Sequence, residues 1–373
     1  MDRIDPVFDP RDFYIEDGIA HLASGGLSPM LREHDDAFRE FNRDKGLGML
    51  GGDRLEAHVQ TARSLAASVF HAQVGDIGLV SNVAEGMSIL AESISWRDGD
   101  NVCVDGQDFA SVVLPFLVQR KPAIEVRVAQ GDDPSRFKDL VDQRTRLVAI
   151  AEVSYVTGER HDLSNLRELV DQAGSMLVVD FTQNAGVFPV NAEIADFGFS
   201  SCYKFLLGAT GTAIAYWNRR RQPDWAPNTA GWYSVVPTDK SDYTRQPEMK
   251  PDAGRISRGN MSHPSVYVLV RALQYLGCVE EGLLSAHIER LTSGFMEGLR
   301  RLEIPLLTPL DRVRRGPNVC VPSANANDLT RALEDRGILT WNGVGRVRFS
   351  FHGFNSSEDV ARALDAMARD WRG

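Results

Sequence analysis

The chain has 373 residues, more than one compact core usually organises, so two domains are expected, the larger holding most of the apolar sequence. Hydrophobic residues at 43% and charged residues at 25% make a globular balance that excludes a disordered chain. Acidic residues outnumber basic ones 51 to 41, and a formal charge of -10 disfavours phosphate backbones and anionic lipid as partners. The short basic clusters at Arg219-Arg220-Arg221 and Arg312 to Arg315 lack interleaved aromatics and read as solvated loop charge, so neither nucleic acid nor membrane is expected. Cys103, Cys202, Cys278 and Cys320 are scattered, without metal-site spacing or disulfide density, so no metal and reduced cytoplasmic thiols are expected. The acidic N-terminal stretch carries no apolar segment, and no window reaches the ~18 apolar residues of a membrane span.

Taken in chain order, short apolar runs alternate with amphipathic stretches: DIGLVSN then AEGMSILAESI, NVCVDG then SVVLPFLVQR, RLVAIAEVS then DLSNLRELVDQAG, and MLVVDFTQ. Runs of this kind predict strands buried on both faces and, with intervening helices, a largely parallel sheet. Ligands in such sheets bind beyond the carboxyl ends of the strands, which directs attention to the residues just after each run. The Arg219 to Arg258 segment, rich in Pro, Asp, Gly and Thr, is irregular and suited to line a site or an interface. From about Ser265 the texture changes to two long helical stretches, a strand PNVCVPS, a helix DLTRALEDRG, a strand pair around ILTWNG and VRFSFHG, and a closing helix, an α+β arrangement.

Two residues at ends of apolar runs carry chemical promise. Lys204 follows ADFGFSS and precedes a Gly-rich turn, and Asp180 closes MLVVD. Alone, either could be ordinary: a solvated amine, or a turn or cap carboxylate. Together with Gln183 they supply what pyridoxal phosphate requires: an amine for its aldehyde, an anion for its pyridine nitrogen and a donor for its ring oxygen. Phosphate needs a cup of donors, and SNVAEG, turning from strand to helix at Ser81 to Gly86, offers the N–H groups of Val83 and Ala84 beside Ser81, with Asn82 as an ordinary helix cap.

The block VDFTQNAGVFPVNAEIADFGFSSCYKFLLGATG resembles the "VDGAQ...G..P.D......DF...S.HK.L.G..G" block of the class V aminotransferase family. Further similarities follow in order: HLASGGLSP to "YLNNAA...P", SNVAEG to "GTTEG", EVSYVTGERHDL to "VSNVTG...DL", RISRGNMSHPSVYVL to "RFE.GTPN....L", and VRFSFHGFNSSEDV to "RASF..YNT.EEV". The resemblance implies a fold-type I α/β enzyme. Its large domain, residues 31–258, would hold a mostly parallel seven-stranded sheet flanked by helices; residues 1–30 and 259–373 would form a small α+β domain. It implies pyridoxal phosphate as cofactor, an amino acid or small amine as substrate, and a homodimer. Lys204 becomes the Schiff-base lysine, Asp180 the pyridinium partner, Gln183 the ring-oxygen donor and Ser201 a phosphate ligand. Phe109 matches the position that stacks on the ring, Tyr203 precedes the lysine, and Trp232 lies in a segment like the Gly-Trp loop of kynureninases. Asn260 falls in a loop that reaches the neighbouring subunit's phosphate. Arg348 matches the arginine that forks onto the substrate carboxylate, with Ser24 and Tyr155 beside it in the substrate site; Arg346, on the same strand face, is the rival assignment, and pairing of Arg348 with an acid such as Glu358 is the alternative role.

Several positions depart from the family pattern. Val83-Ala84 replaces Thr-Thr in the phosphate segment, Asn260 replaces a threonine, and Tyr203 replaces the histidine before the lysine. GILTWNGVGRVRFS lacks the cysteine on which desulfurases form a persulfide, and Cys320 lies upstream in a predicted buried strand. The expected activity is aminotransferase-like, acting through Lys204 and Cα deprotonation. A carbon–sulfur or carbon–carbon lyase and a non-catalytic scaffold are the alternatives, the last opposed by the presence of both Lys204 and Asp180.

Overall fold

The computed structural model describes residues 3–119, 123–131, 135–237 and 244–372. Strand β1 (Ala20–His21) precedes helices α1 (His34–Gly46) and α2 (Gly52–Val69). There follow β2 (Ile77–Val80), α3 (Val83–Ser93), β3 (Asn101–Asp105), α4 (Ala110–Leu117), β4 (Glu125–Ala129), β5 (Thr145–Ala151), α5 (Leu163–Gln172), β6 (Met176–Asp180), β7 (Phe197–Ser201) and β8 (Ala213–Trp217). The remainder runs α6 (His263–Leu276), α7 (Leu283–Arg301), β9 (Asn318–Pro322), α8 (Ala326–Glu334), β10 (Ile338–Leu339), β11 (Trp341–Gly343), β12 (Arg346–Ser350) and α9 (Ser357–Asp370). Among the described residues no helix is long and apolar enough to cross a membrane.

Seven strands form one sheet in the order β2-β8-β7-β6-β5-β3-β4, as the mostly parallel reading requires. The strands from β4 to β7 run parallel, and β8 is antiparallel to both of its neighbours. No helix separates β7 from β8, so the chain returns beside the strand it has just left, and that return carries Lys204. Successive residues of the central strands feed two cores. Val148, Ile150, Leu177 and Val179 pack with α2, α5 and α6, while Leu147, Ala149 and Val178 pack with α3 and α4. Burial on both faces is the reason these strands are apolar without alternation. Strand β4 lies at the sheet edge with Glu125 exposed, and its pattern EVRVA has no continuous apolar run to announce it.

A third core joins the N-terminal segment to the C-terminal elements. Phe13 and Leu22 pack with Phe295, Val319, Val321, Val347 and Phe349. Strand β1 pairs with β10, and β12 lies between β11 and β9 in a three-stranded antiparallel sheet. The apolar stretch around ILTWNG thus splits between two sheets. Helix α6 lays Val266, Leu269, Val270 and Leu273 against the large sheet's core rather than against the C-terminal strands.

Candidate active site

The carboxyl ends of three parallel strands meet at one cavity of about 230 Å³. Its lining includes Ala151 from the end of β5, Asp180 from β6, Ser201 from β7, and Lys204 just beyond. Lys204 is 9% exposed, with Nζ 5.4 Å from the centre of the Phe109 ring and 5.7 Å from that of Tyr203. Burial, and then the positive charge of Arg348, push its amine down to about 8, against an upward pull from Asp180. At pH 7 about a tenth of the amine is therefore neutral and nucleophilic, far more than for an ordinary lysine.

The turn after Lys204 is fixed from both sides. Ser28 donates its hydroxyl to the Lys204 carbonyl at 2.7 Å, and Leu207, fully buried in the N- and C-terminal core, sits at φ 58°. A buried leucine with positive φ is uncommon and marks a turn imposed by its surroundings. Gly186 also has positive φ, and a β-carbon there would lie 2.4 Å from the Phe205 carbonyl, so the loop after Gln183 can press against the lysine turn only as glycine.

Asp180 is buried, and burial raises its carboxyl above the usual range; hydrogen bonds from Thr182 and the charge of Lys204 oppose that shift. Thr182 donates its N–H to Asp180 Oδ1 at 2.9 Å, and its hydroxyl oxygen accepts from the Ser201 N–H at 3.0 Å. Thr182 thus ties the two strand ends together; it stands where the family block has alanine, and only its place inside DFTQ hinted at it. Gln183 donates to the Gly25 carbonyl at 2.9 Å and accepts from Asn318 at 2.9 Å, which leaves one amide N–H for a ligand. Gly25 itself is pressed into this cluster: a β-carbon would lie 2.7 Å from both Asn318 Oδ1 and Ser350 Oγ. Neither Asn318 nor the Gly25 contact is signalled by the local sequence.

The start of α3 supplies the donors. Asn82 accepts from the Glu85 N–H at 2.9 Å, and the Glu85 carboxylate accepts from the Ser81 N–H at 2.7 Å, a reciprocal cap. The N–H groups of Val83 and Ala84, both lining the cavity, are first-turn groups with no intrahelical acceptor. Ser81, whose N–H is already engaged, is exposed and outside the lining; Asn82 and Ser111 line it instead. Phe109, 43% exposed, meets Tyr155 edge-on with ring centres 5.3 Å apart. Asp108 accepts from the Ala151 N–H at 3.0 Å and so anchors the Phe109 turn to the end of β5.

The other candidates separate. Tyr155 lines the cavity, whereas Arg348 and Arg346 are buried behind it and both donate to the Tyr155 carbonyl. Glu358, the alternative partner for Arg348, lies in the first turn of α9 and does not pair with it. Ser24 is fully buried, its hydroxyl without a partner, and lies outside the cavity lining. Asn260 and Trp232 are exposed, the latter at 66%, and neither lines the cavity.

A family model described as "Aminotransferase class-V" matches residues 47–363. The chain belongs to the class V aminotransferases. It is 24% identical over 365 residues to a probable cysteine desulfurase of Methanothermobacter thermautotrophicus, covering 89% of this chain and 88% of that one. It is 26% identical over 372 residues to a kynureninase of Pseudomonas fluorescens, covering 87% of this chain and 86% of that one. In fold it is similar to an apo cysteine desulfurase from Thermococcus onnurineus, with a TM-score of 0.86, 21% identity and 96% of each chain covered. It also superimposes on a cystine C-S lyase, C-DES, with a TM-score of 0.85, 17% identity, and 95% of this chain and 99% of that one covered. This class V chain is therefore a pyridoxal-phosphate-dependent enzyme, a transaminase or a lyase. Its cavity fits that cofactor: a lowered lysine amine, a buried carboxyl that feels the lysine's charge, and helix first-turn N–H groups converge on one space.

Proposed function

We propose that this enzyme acts on the primary amine of an amino acid in an aminotransferase-like reaction, with Lys204 holding the cofactor and then moving the Cα proton. The observation that carries the reading is the buried Lys204 amine, lowered to about 8, over the face of Phe109. Pyridoxal phosphate, when bound, supplies an electron sink that stabilises negative charge at the substrate α-carbon. Asp180 provides the counter-charge at the pyridine nitrogen, and the second N–H of Gln183 meets the ring oxygen. Ser201 and the N–H groups of Val83 and Ala84 hold the phosphate, with the positive end of α3 behind them. Tyr203 closes the cavity beside the lysine, and Arg348 takes the substrate carboxylate in a bidentate grip.

The desulfurase and C-S lyase relatives favour a second reading, carbon–sulfur cleavage. No cysteine lines the cavity, and burial raises the Cys320 thiol, so sulfur released here would pass to a small acceptor rather than to an enzyme thiol. A panel of amino acids assayed with and without a keto-acid acceptor separates the two. Acceptor-dependent keto-acid formation is the expected result; sulfide, alanine or ammonia release without an acceptor would give the lyase reading precedence. No change in cofactor absorption with any amino acid would remove both.

The active assembly is proposed to be a cytoplasmic homodimer in which the Asn260 loop completes the partner's phosphate site. Met49 and Leu50, 94% and 82% exposed, and Trp232, 66% exposed, each hold an apolar side chain in solvent of the kind that interfaces cover. Light scattering should give twice the monomer mass. Mixing inactive Lys204→Ala chains with inactive Asn260→Asp chains should restore activity through hybrid dimers, and a fully active monomer would end the proposal.

A further inference from the structure

Two arginines are buried side by side behind the cavity. Arg346 and Arg348 alternate along β12, so both side chains leave the same face of the strand, and they are 0% and 2% exposed. Both guanidiniums turn to one atom: the Tyr155 carbonyl oxygen accepts from Arg346 Nη2 and, at 3.3 Å, from Arg348 Nη1. Arg346 also donates to the Gly343 carbonyl. The Trp341 ring centre is 5.0 Å from the Arg346 guanidinium carbon and 4.8 Å from that of Arg348, and the Tyr155 ring is 5.0 Å from Arg346. The Nε–H of each arginine has no acceptor.

Among the described residues neither guanidinium has an acidic partner. Cys320, opposite Arg348 on the neighbouring strand, brings no negative charge, because burial raises its thiol. Buried charges are ordinarily paired, and two like charges in one apolar wall compound the cost. Carbonyl dipoles, aromatic faces and a hydrogen bond with the uncharged Cys320 thiol compensate Arg346 only in part. A substrate α-carboxylate on Arg348 would neutralise one of the two charges and leave the other.

We infer that the second charge is for a second acidic group: the substrate is an amino acid whose short side chain ends in a carboxylate or a similar acid, with Arg348 on the α-carboxylate and Arg346 on the side-chain acid. Because both guanidiniums converge on the Tyr155 carbonyl, the two acidic groups must lie close together, as in aspartate or cysteine sulfinate. Tyr155 joins this pair to the cavity, its ring touching Phe109 on one side and Trp341, at 6.3 Å between centres, on the other. The inference rests on the reading that an amino acid enters this cavity.

The test is calorimetric titration of the cofactor-loaded enzyme with succinate and with succinamate, which differ in one charge and carry no amine to react. Succinate is expected to bind at least about tenfold more tightly, the scale of one charge-assisted bond. Arg346→Met should bring the ratio of the two affinities toward one, and Arg346→Lys should restore part of it. Equal affinities in the wild type, or a ratio unchanged in Arg346→Met, would overturn the inference. The wild-type comparison needs no variant, so a misfolded Arg346→Met leaves the test standing. Substrate assays with aspartate, cysteine sulfinate and asparagine then distinguish the carboxylate from the sulfinate. Turnover of asparagine without preference for either acid would sink the inference alone, whereas no response to any amino acid would sink the proposed function.

Discussion

Lys204→Ala is expected to lower turnover by about 10⁴-fold or more, the size of a lost general acid–base group together with its covalent role. Cofactor should still bind, because the α3 N–H groups, Ser201 and Asp180 are untouched. In the wild type, borohydride reduction followed by peptide mapping should place the phosphopyridoxyl group on Lys204; finding it on another lysine would remove the assignment. The rate at which cofactor-free enzyme captures pyridoxal phosphate should depend on pH, since only the neutral amine attacks. Burial and Arg348 hold this amine at about 8, so the rate should rise through about pH 8 and level off well below the 10.5 of an ordinary lysine. Arg348→Met removes a positive charge, must raise the lysine pKa, and should move that profile to higher pH. A profile unmoved by this substitution would mean that Arg348 does not act on the lysine.

Asp180→Ala should cost about 3 to 5 kcal/mol in transition-state stabilisation, the scale on which a buried charge left without its partner is felt. Burial raises the free Asp180 carboxyl, and a pyridinium N–H placed against it would favour its charged form. Asp180→Glu keeps the charge and should retain more turnover than Asp180→Ala, whereas Asp180→Asn keeps the shape and should not. Nitrogen NMR of labelled cofactor provides the independent measurement: the ring nitrogen should be protonated in the wild type and not in Asp180→Asn. Equal turnover in the Ala and Glu variants would reduce Asp180 to a turn residue that anchors Thr182.

The gathering of residues at the cavity floor was legible in the chain because it is local. Lys204, Asp180, Gln183 and Ser201 all lie within one block of sequence, each at or just past the end of a strand whose burial on both faces makes it apolar throughout. The α3 donors were legible for the same reason, a helix start directly following β2. Strand β4 was not, since an edge strand needs only one apolar face. Nor was the engagement of the Ser81 N–H by Glu85, which depends on where the Glu85 carboxylate folds back.

What the sequence by itself determined was therefore the parallel sheet, the family, and most of the residues that line one cavity at the strand ends. Only the tertiary structure decided that Gly25 and Asn318 hold Gln183 and that Arg346 and Arg348 share the Tyr155 carbonyl, contacts that join distant parts of the chain. Their meaning lies in pairing and burial: an arginine in a strand looks the same in sequence whether an acid neutralises it or not. Whether Arg346 and Arg348 are neutralised is fixed by the packing of β12 between β9 and β11 and by the Tyr155 turn, because the Coulomb energy of a buried charge depends on distances that only the folded chain sets.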